Sequence, residues 1–264
     1  RPSYPFARAT ADPNLWTQCQ TDTTNRFTVF ARAIMVRSSQ LFHRISERKT
    51  GFHLSWKCSN KQGRPMTTSN HRHTDLPIDP LFLDRWSPRA FNGDAISEEM
   101  LLTILDAARW APSAGNGQPW RFIYARRGTE AWPALLQLLD EGNQRWAQNA
   151  GALIILVSRT HSLSTSTGER RAIYTHAFDT GAAWMALAMQ TMKLGLHAHG
   201  MGGLDRNRAM AELGIPADDY RVEAAVAIGR LADRETLPDD LKARETPSQR
   251  KPLSELAFEG KFAG

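Results

Sequence analysis

The sequence predicts an α+β fold: several helices around a small sheet, in the order helix, loop, strand, helix, strand, helix, strand, helix, strand. Three observations predict it. Residues 97–110 and 173–194 carry apolar side chains at helical spacing. Residues 151–158 are a short apolar run of strand length. Trp120–Tyr124 and Arg221–Gly229 alternate with the period of two that a strand demands. At 264 residues and 41% hydrophobic content the chain has material for one large core or two modest ones. Wholesale disorder, a collagen-like repeat and a coiled-coil rod are excluded.

The elements follow in order. Asp79-Pro80 opens a short helix through Trp86. Ser97 caps a helix to about Trp110, with Met100, Leu101, Ile104, Leu105 and Ala108 on its apolar face, and Pro112 ends it. The loop Ala111–Pro119 leads into the Trp120 strand. Thr129 is placed to cap a helix through Asp140, with Pro133 tolerated in its first turn. Gly151–Ser158 is a buried strand. Residues 159–171 are polar and rich in Ser and Thr, and read as a mobile loop. A long helix spans Ile173–Leu194. Its Phe178, Ala182, Met185, Met189 and Met192 share one face, which is expected to pack in the core, and Gly195 stops it. Leu196–His199 is a short strand, Asp205 caps a helix ending at Gly214, and Arg221–Gly229 is the last strand. The tail 231–264 is charged, contains Pro and is expected to be extended.

Charge divides the chain. Residues 1–65 hold 11 Lys/Arg against 3 Asp/Glu, a net of +8, while residues 66–264 hold 22 against 24, a net of −2. The alkaline balance belongs to the N-terminal quarter, which weakens a nucleic-acid reading of the whole protein. Segment 1–75 reads as a disordered basic extension, and 76–264 as the folded domain. The extension is Arg-rich, Ser/Thr-rich and poor in acids; it reads first as an appended segment without a role in the fold, with a transit peptide and an arm for nucleic acid or an acidic partner as the alternatives. Phe27–Val36 in it has room for a helical turn or two. Met66 would be a plausible N-terminus for the folded domain. Both cysteines, Cys19 and Cys58, lie in the extension; two cysteines exclude a disulfide-built scaffold and point to a reduced compartment, the cytoplasm. No run approaches the ~18–20 apolar residues of a membrane span.

Four segments carry candidate chemistry. Ala111–Trp120, with Pro112, Ser113, Asn116 and Gln118, is dense in neutral donors and acceptors and has no ionisable side chain. It suits a ring edge that alternates carbonyl and N–H groups, and it also reads as an ordinary Gly/Pro turn. Arg85, Ser87 and Arg89 sit at i, i+2 and i+4; in an extended segment they share a face, where two guanidinium groups and a hydroxyl can converge on a phosphate, or simply form a solvated basic turn. His199–Asp205 joins a strand to a helix. It fails the G-x-G-x-x-G pattern because Asp205 stands where the third glycine belongs; Gly202 and Gly203 still let backbone approach a planar ring, or form a plain tight turn. Arg250 and Lys251 offer further phosphate charge in the tail. His197 and His199 share a strand face, but no third ligand lies at metal-site spacing, so no metal is assigned. No residue emerges as a catalytic acid or base.

From about residue 80 to the end the chain resembles the FMN-dependent nitroreductase family. The carrying features are Arg85-x-Ser87-x-Arg89-x-Phe91, Ala108-Arg109-x-Ala111-Pro112-Ser113 through Asn116-x-Gln118-Pro119-Trp120, Gly142-Asn143 with Trp146, Met201–Asp205 and Arg250-Lys251-Pro252-Leu253. Two positions depart from the family pattern: Gly202 stands where several members carry an acidic residue, and Ser248 where a common variant has a basic one.

The resemblance implies a three-layer sandwich, a small, mostly antiparallel sheet between helices, in an intertwined homodimer. It implies that Arg85, Ser87 and Arg89 clamp the FMN phosphate and ribityl chain, with Arg250 adding a phosphate contact. It implies that Asn143 lies near the ribityl chain or ring edge, and Gly202 and Gly203 near the reactive ring. Pro112, Ser113, Asn116 and Gln118 would reach a flavin held mainly by the other subunit. NADH or NADPH would pass hydride to flavin N5 and leave, and a nitroaromatic, quinone or similar small acceptor would take its place, with protons from solvent or the flavin itself. The same fold also serves dehydrogenation, dehalogenation and flavin breakdown, and a binding protein with a nucleic-acid arm is the rival of another class.

Overall fold

Four antiparallel strands set the frame: β1 (Trp120–Arg126), β2 (Ala152–Arg159), β5 (His197–Met201) and β6 (Tyr220–Gly229), in the spatial order β1-β2-β6-β5. The computed structural model describes residues 71–264. The expectations for residues 1–70 of the N-terminal extension, including Phe27–Val36, Cys19, Cys58 and Met66, lie outside the described residues.

β2 runs through the centre of the sheet because it is apolar on both faces. Leu153, Ile155 and Val157 point into one core, and Ala152, Ile154 and Leu156 into the other. Each of the larger side chains contributes roughly 1.5–3 kcal/mol by burial. On the first face lie helices α3 (Trp132–Gln137), α4 (Glu141–Ala147) and α6 (Arg206–Glu212), through Trp132, Leu135, Trp146 and Ala209. The opposite face is covered by α2 (Glu98–Ala108) and α5 (His176–Lys193), through Leu101, Ile104, Leu187 and Ala188. Two helical layers around one antiparallel sheet make the expected three-layer α+β sandwich.

Caps fix where the helices begin. Ser97 Oγ accepts from Met100 N at 3.2 Å, and Asp205 accepts from Arg208 N at 2.9 Å, as the sequence predicts. A short helix α1 (Pro80–Asp84) is capped by Asp79. Thr129 caps nothing: its hydroxyl donates to Arg126 O, and α3 starts three residues later with Pro133 in its first turn. The predicted 129–140 helix thus stops at Gln137, and Asp140 caps a separate helix, α4, which the apolar spacing did not announce.

Two further expectations change. The polar stretch 159–171 is not a plain loop but carries a hairpin, β3 (His161–Leu163) with β4 (Arg170–Ala172). The tail contains the helix α7 (Asp239–Lys242) and two short 3-10 turns.

The largest correction concerns α5. Its buried residues are Asp179, Thr180, Ala183, Leu187, Ala188 and Thr191, and not the Phe178/Met stripe. Phe178 is 80% exposed, Met185 38%, and Tyr174 just before the helix 97%. Small and hydroxylated residues, with Leu187, let α5 lie close on the sheet, while Phe178 and Met185 face outward. Among the described residues no helix is long and apolar enough to cross a membrane.

Candidate functional site

The segment leaving α1 is extended, so Arg85 and Ser87 project to the same side, as the i, i+2 spacing requires. They line a cavity of about 440 Å³ together with Phe82, Trp184, Met185, Gly200 and Arg250 of the tail. Arg85 and Arg250, separated by 165 positions in sequence, therefore meet at one wall. Arg85 Nη1 donates to Ser87 Oγ at 3.4 Å, and Arg250 Nη1 to Ser248 Oγ at 2.9 Å.

Arg72 braces this wall from behind. Its guanidinium donates to Ser248 O at 2.8 Å, Arg85 O at 2.6 Å and Leu83 O at 3.0 Å, tying the tail to the Arg85 segment. Burial, and after it the Arg250 charge, lowers the pKa of Arg85. Arg72 is lowered by burial, then by Arg250 and Arg85. Two guanidinium groups at the cavity wall, with a third behind them, concentrate positive charge there.

Arg89 lies apart from this group. Its backbone N and that of Ala90 donate to the buried Glu245 Oε1 at 2.7 and 2.8 Å, and its guanidinium stands 3.8 Å from Glu245 Oε2. It anchors the strand-like segment that carries Arg85 and Ser87, and it does not line the cavity.

Trp184 and Gly200 also belong to a second cavity of about 280 Å³, lined by Thr180, Gly181, Met201, Gly202, Glu223 and Ala224. The two cavities are thus neighbours across one tryptophan. A Cβ on Gly200 would stand 3.2 Å from the Trp184 ring, whereas one on Gly202 would meet nothing within 4 Å. Gly203 is required for another reason: a Cβ there would fall 1.9 Å from Asp140 Oδ2. Asp140 caps α4 at Asn143 N, and Asn143 Nδ2 donates to Gly203 O at 3.0 Å. Asn143 therefore braces the Gly202-Gly203 turn.

The 111–119 loop is elsewhere. Gly115, Asn116 and Gln118 all have φ between 44° and 56°, a conformation that costs each non-glycine roughly 1–3 kcal/mol and needs support. Ser113 Oγ accepts from Gln118 N at 3.0 Å, the Gln118 amide donates to Asn116 Oδ1 at 3.1 Å, and Asp179 of α5 accepts from Ala114 N at 3.2 Å. Pro112, Ser113, Asn116 and Gln118 line neither cavity of this chain.

Sequence reasoning missed Arg72, Trp184, Glu223 and Glu245. Arg72 falls inside the span read as disordered, and the other three show no motif; only the pairing of distant strands and the tail brings them to the site.

A family model described as the nitroreductase family matches residues 83–230, which include all four strands of the main sheet, both cavities' glycines and Arg85. The chain belongs to the nitroreductase family. Oxidation–reduction is the class of chemistry that membership carries. A solved structure described as an oxidoreductase containing FMN is 58% identical to this nitroreductase-family chain, covering 75% of it and 100% of that protein, with a TM-score of 0.73. A Desulfovibrio desulfuricans protein solved in complex with FMN is 25% identical over 72% of this chain and all of its own, with a TM-score of 0.55. The NADH dehydrogenase of Thermus thermophilus is 28% identical over 205 residues, 67% of this chain and 92% of its own length.

Proposed function

We propose that the chain is a homodimeric FMN oxidoreductase that takes electrons from NADH or NADPH and passes them to nitroaromatic, quinone or similarly conjugated acceptors. One observation carries the reading: Arg85, Ser87 and Arg250 converge on a cavity that adjoins a second one floored by glycine. The donor set of the first suits a phosphate monoester, since guanidinium groups bind it through charge-assisted, bidentate contacts. The second suits a flat ring, because Gly202 leaves its side-chain position open. FMN is anionic at one end and planar at the other, and the FMN-containing relatives support its assignment here. When bound, it supplies hydride transfer through its ring.

The chain's own groups have defined tasks in this reading. Arg85 and Arg250 hold the phosphate, and Arg72 keeps them together. Gly203, held by Asp140 and Asn143, fixes the turn against which the ring rests. The exposed Trp110, Tyr174, Phe178 and Met185 form the face that meets a second copy. Pro112, Ser113, Asn116 and Gln118 then complete the partner's site, in keeping with their absence from the lining of the two cavities. The folded part from residue 76, with Arg72 as its brace, carries every group this requires, and a 66–264 truncation keeps them all.

The test is spectroscopic and kinetic. The purified full chain should carry flavin absorbance, and should oxidise NADH or NADPH with a panel of quinone and nitroaromatic acceptors along parallel-line, ping-pong kinetics. A colourless protein that takes up no FMN overturns the reading. Salt-sensitive DNA retention lost on removing residues 1–65 would favour the binding-protein alternative.

A further inference from the structure

The second cavity is walled by a cluster that the oxidoreductase reading leaves without a task. β6 pairs Val222 with Val157 and Ala224 with Leu156, so Glu223 between them is an extra residue, a β-bulge. Bulges re-aim side chains, and this one turns Glu223 to the α5 side of the sheet, into the cavity that Gly202 borders. Glu223 is the one ionisable residue among those lining that cavity.

Behind it stand Ser158 of β2 and His176, the first residue of α5. Ser158 Oγ lies 2.6 Å from Glu223 Oε1 and 2.8 Å from His176 Nδ1, and His176 Nδ1 is 3.3 Å from the same carboxyl oxygen. Ser158 is fully buried, and its single hydroxyl hydrogen goes to the closer carboxyl oxygen. The His176 ring must then donate its Nδ1–H to Ser158 Oγ. The result is a directed chain from histidine through serine to carboxyl. The His176 and Glu223 side chains are each 17% exposed, so the chain runs from solvent to cavity. The other charges facing Glu223 are Arg221, whose Nε is 3.6 Å from Oε2, and Arg206, which donates to Glu223 O at 3.2 Å.

We propose that Glu223 is the proton donor to the electron acceptor, reloaded from solvent through Ser158 and His176. The inference rests on the oxidoreductase reading. Reducing a quinone takes two electrons and two protons. The reduced nicotinamide supplies both electrons and one hydrogen as hydride; the other proton must come from elsewhere. The proton that the relay places on Glu223 passes on to the acceptor: the Glu223 O–H bond breaks as an O–H bond forms on the acceptor oxygen. In the relay Ser158 gives its hydroxyl proton to Glu223 Oε1 and takes the Nδ1 proton of His176, while a solvent proton adds at Nε2. The ring changes tautomer and one solvent proton is consumed. Glu223 touches the acceptor; Ser158 and His176 are positioning residues.

Glu223→Gln, Glu223→Asp and Ser158→Ala in the full chain test it. FMN affinity, read by fluorescence quenching, should change less than about threefold. The FMN-loaded protein, reduced with NADH, should lose at least about tenfold in quinone reduction with Glu223→Gln, a small loss on the scale of general acid catalysis, and regain part of it with Glu223→Asp. Reduction of ferricyanide, which needs no proton, should stay unchanged, a split that a merely structural role would not produce. Long-range 1H–15N NMR of the apo chain should find His176 as the Nδ1–H tautomer, altered in Ser158→Ala. Wild-type chain that takes up no FMN overturns the oxidoreductase reading and this inference with it. FMN-loaded Glu223→Gln with undiminished quinone reduction, or an Nε2–H tautomer in the wild type, overturns the proton relay alone.

Discussion

Arg85 and Arg250 are kept side by side at a cost in mutual repulsion, which an anion between them relieves. Arg85→Ala or Arg250→Ala should therefore weaken FMN retention at least about tenfold, since each charge-assisted contact contributes about 1.5–3 kcal/mol, while leaving the apo melting temperature close to wild type. Equilibrium dialysis and thermal melts of the same preparations separate the two effects; unchanged FMN affinity in both variants would remove these residues from the site. His197 and His199 act on stability instead. Burial pushes His197 down to about 4 from 6.5, and its Nδ1 has no partner. His199 is also pushed down to about 4, because burial outweighs the hydrogen bond it donates to Pro88 O, with the Arg89 and Arg85 charges adding to the lowering. Both rings stay neutral in the fold where the unfolded chain binds a proton. The stability they protect is complete above pH 6.5 and drains away as pH falls toward 4, at up to about 1.4 kcal/mol per pH unit for each ring. Denaturant unfolding of His197→Phe should show a shallower acid limb across that window. An acid limb as steep as wild type would mean that His197 titrates normally.

Helix α5 shows at the level of an element why apolar spacing locates helices more reliably than it orients them. The stripe of Phe178, Met185, Met189 and Met192 correctly marks the length of the helix and misidentifies its inner face. Close packing on the sheet selects Ala183, Leu187 and Ala188 for that face, and Phe178 and Met185 are left exposed, where the proposed dimer would cover them. Phe178→Asp should thus convert a dimer to a monomer in sedimentation velocity while preserving the far-ultraviolet circular dichroism of the fold, because Phe178 is 80% exposed within the chain. A variant that sediments as wild type would exclude this face from the interface. The same logic governs what else was legible. β2, β6 and the Ser97 and Asp205 caps depend on local patterns, and the sequence displays them. Arg85 and Ser87 share a cavity because they are two apart in an extended segment. Arg250 joins them through the path of the tail, Glu223 faces its cavity through one extra residue in β6, and Asp140 caps a helix of seven residues too short to show a period. The path of the tail and the bulge are not local properties of the sequence around them, and the cap, though local, has no periodic pattern behind it to announce it.

Across the whole molecule, the separation of the 112–118 loop from the arginine wall is the fact that any assembly must explain. Neutral amides held at positive φ, at 54° for Asn116 and 44° for Gln118, are strained in a loop that Ala114 N pins to Asp179 of α5, yet they line neither of the two cavities beside the arginine wall. Strain of that kind persists where the surroundings impose it, and it is concentrated at binding sites. If the loop reaches the partner's cavity, each FMN contacts Arg85 of one copy and Gln118 of the other, and FMN should stabilise the dimer against dilution because it binds only the assembled state. Mixing Arg85→Ala chains with Gln118→Ala chains then gives heterodimers in which one site carries both lesions and the other carries neither. Isolated by two different affinity tags and titrated with FMN, such heterodimers should bind about one equivalent with wild-type affinity. In the alternative arrangement, with both residues serving the cavity of their own chain, every site has a single lesion and no site recovers. Two equally weakened sites per heterodimer would therefore refute the exchange of loops between subunits, whatever the dimer's stability proves to be.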